Sequence, residues 1–153
     1  MKLIITVGLP GSGKSTYLAG LGVNAISSDE IRRLIADDPH NQSMNARIFA
    51  TVRYLIRQRI AAQRDVTYVD ATHLTPWERK PYVKLAQRYG CELEALFFDV
   101  PVETCIARNQ TRDRIVPEEA IRKMASRLVP PSTGEGFTDV QIVKPQMNAD
   151  EHR

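Results

Sequence analysis

The stretch VGLPGSGKSTYL, residues 7–18, follows the apolar run LIITV and decides how the rest of the chain is interpreted. Residues 8–15 match the pattern G-x-x-x-x-G-K-[ST]. Glycines allow successive backbone amides to turn toward one point, where they can bind phosphate oxygens. The apolar run predicts a strand before this loop, and a helix is predicted to begin at Lys14 behind it. The stretch therefore predicts a phosphate-binding loop for a nucleoside triphosphate.

Within this loop, two side chains are expected to carry separate tasks. Lys14 is expected to reach the β- and γ-phosphates, and the Ser15 hydroxyl to ligate Mg²⁺. The alternative is a glycine-rich turn that joins a strand to a helix and binds nothing. The residues expected around the phosphates of the donor, ATP, are Gly8, Pro10, Gly11, Ser12, Gly13, Lys14, Ser15 and Thr16.

Composition places the chain among ordinary globular proteins. Its 153 residues are 42% hydrophobic and 25% charged, which suits one domain with its own core. No apolar run approaches the ~20 residues of a membrane span, so no membrane partner is expected. Cys91 and Cys105 are expected to be free thiols in a cytoplasmic protein, and the first residues do not form a signal peptide. The net charge of +3 permits an anionic partner.

Short apolar segments alternate with longer amphipathic ones, which predicts an α/β fold whose central parallel sheet has helices on both faces. One domain with the phosphate-binding loop is expected over residues 1–144, with a small helical lid at about 108–117 and a loose polar tail over 145–153. Strands are predicted at Leu3–Val7, Ala25–Ser27, Val66–Val69, Leu93–Val100 and Val140–Val143. Helices are predicted at Lys14–Leu21, Asp29–Ala36, Ser43–Arg64, Pro76–Tyr89, Val102–Asn109 and Pro117–Leu128.

Ligands of such sheets bind beyond the carboxyl ends of the strands, so the residues that follow each strand are the candidates for a site. Asp29 and Arg32 follow the second strand and share one helical face. A carboxylate there can orient an acceptor hydroxyl and accept its proton, and the arginine can hold a phosphate of the acceptor. The alternative is a helix cap at Ser28 or Asp29 and a solvated charge at Arg32.

Two further positions carry candidates. Asp70 ends the third strand, where it can hold a Mg²⁺-bound water, orient the acceptor, or cap the following turn. His73 is a candidate acceptor contact or polar surface. Late in the chain, Arg108 and Arg112 lie four residues apart on one helical face. Arginines that close over the donor stabilise the charge of the transferred phosphoryl group. Otherwise they are solvated, or Arg112 pairs with a neighbouring acid.

Together, the segments GLPGSGKST, SSDEIRR, VDATHLTPWERK and RNQTRDRIVPEEAI, with EGF near the end, resemble the 5′-hydroxyl polynucleotide kinase family. The resemblance covers roughly residues 2–143. It implies that Lys14 and Ser15 hold donor phosphates and metal, that Asp29 is the general base, and that Arg32 binds the phosphate next to the acceptor nucleotide. It also implies a P-loop kinase fold for residues 1–144, in which Arg108 and Arg112 are lid arginines over the donor.

The resemblance also defines the acceptor contacts after the third strand. That family often has Asp-x-Thr-Asn there, whereas this chain has Asp70, Ala71, Thr72 and His73, so the fourth position departs from the pattern. Members are often fused to a phosphatase or other repair domain. Because the resemblance in this sequence covers a kinase domain alone, the chain is expected to be a stand-alone kinase or an excised domain.

The acceptor implied is the 5′-hydroxyl end of DNA or RNA. Arg53, Arg57 and Arg64 fall close to one stripe of a predicted helix, where they either contact a sugar–phosphate backbone or form a solvated face. Trp77 and Tyr82 either stack on a base or pack in the core. Two other functions stay open: a small-metabolite or antibiotic kinase on the same scaffold, and a nucleotide-binding regulatory module without transferase activity.

Overall fold

A five-stranded, wholly parallel sheet forms the centre of the computed structural model, which describes residues 1–111 and 115–145. The strand order is β2-β3-β1-β4-β5, so the first strand lies in the middle. Its alternating apolar side chains are buried on both faces, as a covered parallel sheet requires. The strands are β1 Lys2–Val7, β2 Ile26–Ser27, β3 Val66–Asp70, β4 Glu92–Phe98 and β5 Asp139–Val143.

Six α-helices connect or flank these strands in the described residues. No helix there combines the length and the apolar character needed to cross a membrane. The helices are α1 Lys14–Gly20, α2 Ser28–Ala36, α3 Asn45–Ala61, α4 Pro76–Tyr89, α5 Val102–Asn109 and α6 Glu118–Arg127.

The core divides into three apolar clusters. Side chains that alternate along β1 point to opposite faces: Ile5 packs with α3 and α4, and Ile4 packs with α1 on the other side. The third cluster joins Leu9, from the loop after β1, to Ile106 of α5 and Ile121 of α6. The loop after β1 is therefore held from below by the sheet and from the side by α5 and α6.

The α/β architecture predicted from the sequence is confirmed, and the differences lie at element ends. The third helix ends three residues earlier than predicted, because Gln63 adopts a left-handed conformation (φ 56°) and the Arg64 amide bonds back to the Arg59 carbonyl. A short 3₁₀ helix at Thr133–Glu135 was not predicted. Of the expected lid, residues 112–114 lie outside the described residues, as do residues 146–153 of the expected tail.

That 3₁₀ helix fastens the last strand to α4 through a buried ion pair. Arg79 is fully buried and its Nε and Nη2 donate to the two carboxylate oxygens of Glu135, both at 2.9 Å. Its Nη1 donates to the carbonyl of His73 at 2.8 Å. Gly136 has φ 121° and a Cβ there would lie 2.7 Å from Val83, while Phe137 is buried in the core. The segment EGF thus supplies an ion-pair partner, a close approach and a core side chain in succession.

Replacing Glu135 with Ala should lower the free energy of unfolding by about 3–5 kcal/mol, because it leaves a buried guanidinium without its carboxylate. Chemical denaturation monitored by circular dichroism measures the loss. The control is Glu103→Ala, since Glu103 pairs with Arg122 at the surface and its loss should hardly move the midpoint. The double variant Arg79→Met/Glu135→Ala should regain part of the stability. Equal midpoints for Glu135→Ala and Glu103→Ala would contradict this account.

Candidate active site

The loop after β1 has the backbone geometry of an anion cradle. Gly11 and Gly13 adopt left-handed conformations, with φ 82° and 96°. A Cβ at Gly11 would lie 2.4 Å from the carbonyl oxygen of Cys105, so only glycine fits between the loop and α5. Helix α1 begins at Lys14 and no side chain caps its first turn. The amides of that turn therefore point toward the loop's concave side, where an anion is favoured.

Lys14 is held inside the loop. The side chain is 8% exposed, and its Nζ donates to the carbonyls of Gly8 at 3.1 Å and Leu9 at 2.8 Å. The ammonium thus lies within the curve of backbone that a phosphate would occupy. A cleft of about 250 Å³ opens over it and is lined by Gly11, Gly13, Lys14, Ser15, Thr16, Arg108 and Thr111.

Arg108 reaches this cleft from the last turn of α5. Its Nη1 lies 3.7 Å from the position of a Cβ on Gly13, directly over the loop. Burial raises the pKa of the Cys105 thiol, and the charges of Lys14 and Arg108 lower it, because both cations lie close to this sulfur. The loop lysine and the α5 arginine therefore converge on one anion-sized space. Arg112, the second predicted lid arginine, lies outside the described residues.

The Ser15 hydroxyl donates to Oδ2 of Asp70 at 2.6 Å, across the gap between the first helix and the end of β3. This pair places a hydroxyl oxygen and a carboxylate side by side at the rim of the cleft. Mg²⁺ takes oxygen ligands, and it keeps several waters when it is bound by one or two protein groups and substrate phosphates. These oxygens fit that ion, which Ser15 would ligate directly with Asp70 behind it.

The end of β2 lies beside the end of β3, because Ser27 pairs with Asp70 in the parallel register. Ser27, not Ser28 or Asp29, is the N-cap of α2, and its side chain accepts from the Glu30 amide. Capping therefore does not account for Asp29, which lies exposed in the first turn of α2 at the same edge as Asp70.

Arg32 is not a solvated charge. It is 4% exposed, and its Nε donates to the Asn41 carbonyl at 3.1 Å while its Nη2 donates to Oδ1 of Asn45 at 2.5 Å. The guanidinium is thereby fixed under the connection between α2 and α3. An arginine held in this way costs less conformational entropy when it binds a ligand than a free surface arginine does.

The remaining loop residues have structural contacts. The Gly8 amide donates to the Thr72 carbonyl at 3.0 Å, which ties the loop after β1 to the loop after β3. A Cβ on Gly8 would lie 2.8 Å from the Ser12 hydroxyl, which is the one buried side-chain polar atom without a partner in residues 1–111 and 115–145. Pro10 is half-buried and Thr16 is exposed at the cleft.

The prediction that His73 contacts the acceptor requires correction, because the ring is buried and both nitrogens have partners. His73 is 3% exposed, with Nδ1 2.6 Å from the Thr6 carbonyl and Nε2 2.9 Å from the Tyr82 hydroxyl. A carbonyl can only accept, so Nδ1 carries the proton and the neutral ring accepts from Tyr82. Tyr82 is 2% exposed and is likewise a core residue, not a base-stacking one.

Helix α3 runs away from the site. At its start, Asn45 binds Arg32, whereas near its end Arg59 donates to the Val66 carbonyl at 2.8 Å and to the Thr67 hydroxyl at 2.9 Å. These last two residues begin β3, at the amino edge of the sheet. The 17 residues of α3 thus extend about 25 Å, from the edge of the site to the opposite edge.

The predicted basic stripe of Arg53 and Arg57 is not one exposed surface. Arg57 is exposed on the half of α3 nearer the amino edge. Arg53 is half-buried and lies close to the Tyr82 phenol: burial raises the pKa of that phenol, and the charge of Arg53 lowers it. Sequence periodicity placed both arginines on one face but carried no information on the direction of the helix.

One cleft residue was missed. Thr111 lines the cleft beside Arg108, and its hydroxyl donates to the Arg108 carbonyl at 2.9 Å. It lies in the turn just after α5, where its amide bonds to the same carbonyl at 3.2 Å, so helical periodicity did not single it out.

Comparisons with known proteins agree with this architecture. A family model described as an AAA domain matches residues 3–131. The L-seryl-tRNA(Sec) kinase of Mus musculus is 33% identical over 69 residues, which are 45% of this chain and 16% of the mouse protein. The chain thus spans less than a fifth of that relative.

Two solved structures show the same fold. A sugar kinase from a Janibacter species has a TM-score of 0.68 and 17% identity, over 94% of this chain and 85% of that one. A chain of the Pnkp1/Rnl/Hen1 complex has a TM-score of 0.61 and 24% identity, over 76% of this chain and 40% of that one.

Buried His73 should make stability depend on pH. Burial, aided by the charges of Lys14 and Arg79, lowers the pKa of His73 from 6.5 to about 4, although the bond to Thr6 raises it. Between those values the unfolded chain binds a proton that the folded chain does not. The free energy of unfolding should therefore fall as the pH decreases from 6.5 toward 4, by up to about 1.4 kcal/mol per pH unit.

Denaturation midpoints at pH 7.0, 6.0 and 5.0 measure this slope. His73→Gln should be less stable at pH 7 and should show a shallower slope. His40→Gln is the matched control, since His40 is exposed and its loss should leave the slope unchanged. A slope that persists in His73→Gln would show that other groups cause it.

Proposed function

We propose that this chain, which belongs to the AAA domain family, is a phosphotransferase. It moves the γ-phosphoryl group of ATP to the 5′-hydroxyl end of a nucleic acid. The proposal rests on the arrangement of five side chains. Lys14 and Arg108 converge on a single cleft, and the Ser15–Asp70 pair lies at its rim. The end of β2, which leads to Asp29, lies beside Asp70.

The donor half of the reaction follows from the loop. When ATP enters, its phosphates replace the loop carbonyls as the partners of the Lys14 ammonium, and the amides around Gly11 and Gly13 bind phosphate oxygens. Arg108 lies on the open side of the cleft, where it stabilises charge on the transferred group. Ser15 and Asp70 would hold Mg²⁺, and the ion would supply positive charge that neutralises the phosphates of the donor.

The acceptor half requires a group that positions a hydroxyl and removes its proton. Asp29 is the carboxylate proposed for this role. As the bond from the acceptor oxygen to the γ-phosphorus forms, the bond from that phosphorus to the bridging oxygen of ADP breaks. The proton of the hydroxyl passes to Asp29 and then to water, so atoms and charge balance. Arg32, fixed by Asn41 and Asn45, is the proposed partner for the acceptor's own phosphate.

Support for a nucleic acid as the acceptor comes from the Asp29–Arg32 pair, the pattern that resembles polynucleotide 5′-kinases. The name of the mouse relative, L-seryl-tRNA(Sec) kinase, also describes a hydroxyl carried by an RNA. A metabolite kinase is the second candidate, because the fold matches the Janibacter sugar kinase over nearly the whole of both chains. The two candidates differ in the acceptor and share the donor site.

A transfer assay with γ-labelled ATP separates the candidates. Oligonucleotides with a 5′-hydroxyl should become labelled, and the same oligonucleotides with a 5′-phosphate should not, because they lack the attacking hydroxyl. A panel of sugars and other small hydroxylated compounds is offered in parallel. Labelling of a small compound without labelling of any oligonucleotide would overturn the nucleic-acid acceptor and keep the donor site.

Asp29→Ala should lower turnover by ~10²–10⁴-fold, the usual contribution of a positioned base, and should leave ATP affinity unchanged. Glu30→Ala is the matched control: it removes the neighbouring acid of the same helix turn, which pairs with Arg33 at the surface. Turnover at saturating substrates and nucleotide titration by calorimetry give the two quantities. A loss of ATP affinity in Asp29→Ala with turnover preserved would assign Asp29 to the donor side.

A further inference from the structure

One solvent-exposed face of α4 carries cations and no acid. At 3.6 residues per turn, Trp77, Lys80, Lys84 and Arg88 fall within about 80° of one another around the helix axis. All four side chains are exposed. The single acid of this helix, Glu78, lies off that face and binds the Leu74 amide and Arg127.

These cations are not committed to carboxylates. In residues 1–111 and 115–145, Lys80 and Lys84 form no ion pair and no side-chain hydrogen bond, and Arg88 lies over the ring of Tyr89 at 5.7 Å. Other surface arginines, such as Arg33 and Arg122, do pair with acids. The α4 face therefore presents a row of positive charge that an anion can bind without first breaking a salt bridge.

Trp77 is the unusual member of this face. It is 81% exposed, the largest exposed fraction of any large apolar side chain in the described residues, and it is the only tryptophan of the chain. Leaving an indole in water is costly, since its burial is worth more than that of most side chains. A flat aromatic surface beside lysines is the combination on which bases stack while phosphates are neutralised.

Helix α4 begins at the edge of the sheet that bears the site and, like α3, runs toward the amino edge. Thr75 caps its start in the loop that follows Asp70, so Trp77 lies at the edge of the sheet that bears the site. The helix ends at Gly90, and the Glu92 amide then bonds to the Met1 carbonyl at the amino edge. From Trp77 to Arg88 the face extends about 17 Å, leading away from the site.

We propose that this face, Trp77 with Lys80, Lys84 and Arg88, binds the single strand of nucleic acid that follows the acceptor's 5′ end. Trp77 stacks on a base near the site, and the three cations contact successive backbone phosphates. The proposal rests on the proposed function for its direction of binding, but the interaction itself has a separate readout. On α3, by contrast, Arg57 lies toward the amino edge and Arg53 is half-buried.

Binding to the α4 face should depend on the length of the nucleic-acid acceptor. A nucleoside 3′-phosphate reaches Asp29 and Arg32 but not the far end of α4, whereas an oligonucleotide of about a dozen nucleotides spans the face. Trp77→Ala should therefore weaken oligonucleotide binding by about 5- to 100-fold, and Trp77→Phe should restore part of it. The KM for the nucleoside 3′-phosphate and the kcat for either acceptor should be unchanged.

The experiment uses the full chain, a 5′-hydroxyl oligothymidylate of about a dozen nucleotides, and titrations at several salt concentrations. Because the chain has one tryptophan, quenching of its fluorescence reports stacking on Trp77 directly. In Lys80→Ala/Lys84→Ala, the slope of log K against log salt should be smaller by roughly 1.4, which is two phosphate contacts on a single strand. Lys123→Ala, an exposed lysine on α6, is the control and should leave the slope unchanged.

Each outcome decides between the two proposals. Quenching together with a flatter slope in the lysine variant supports the α4 face, whether or not the oligonucleotide is phosphorylated. Phosphorylation of the oligonucleotide without quenching and with an unchanged slope overturns the α4 face and keeps the proposed function. The absence of both binding and phosphorylation overturns both, and α4 then presents a merely solvated face.

Discussion

The hydrogen bond from the Ser15 hydroxyl to the Asp70 carboxylate is the contact on which the geometry of the site depends. It joins the first turn of α1 to the end of β3, two segments that lie 55 residues apart in the chain. Parallel pairing of β1 with β3 brings these ends to one edge, and the Gly8 amide bonds to Thr72 just beyond them. The phosphate loop and the proposed metal-holding acid are therefore fixed relative to each other by backbone and side chain together.

A second constraint fixes the other wall of the cleft. Gly11 lies so close to Cys105 that no side chain fits between the loop and α5, and Leu9 packs in the same cluster as Ile106. The helix that carries Arg108 is thus pressed against the loop that carries Lys14. Two cations held near one point repel each other, a cost that the packing of α5 offsets. A polyphosphate that enters the cleft removes that repulsion, which favours binding of the donor.

Local features of the sequence predicted most of the fold. The glycine pattern, the Thr75 cap and the alternation of apolar segments are properties of neighbouring residues, and they gave the element order and the parallel sheet. Contacts between distant residues were not predictable in this way. The Arg79–Glu135 pair spans 56 residues, and the polar partners of His73 are a strand carbonyl and a helix tyrosine. Because its ring is buried, His73 is a core residue and not a contact of the acceptor.

The position of an exposed side chain along its helix decides whether it can serve a site at one edge of the sheet. Helices α3 and α4 both carry exposed cations, and periodicity alone makes them equivalent. They differ at their starts. The start of α3 carries the contact between Arg32 and Asn45, and the exposed arginine of its predicted stripe, Arg57, lies toward the far edge. The start of α4 leaves Trp77 in water at the edge of the site, with lysines one and two turns beyond. A strand anchored at its 5′ end therefore meets an aromatic surface first and charge afterwards on α4, an order that α3 does not provide.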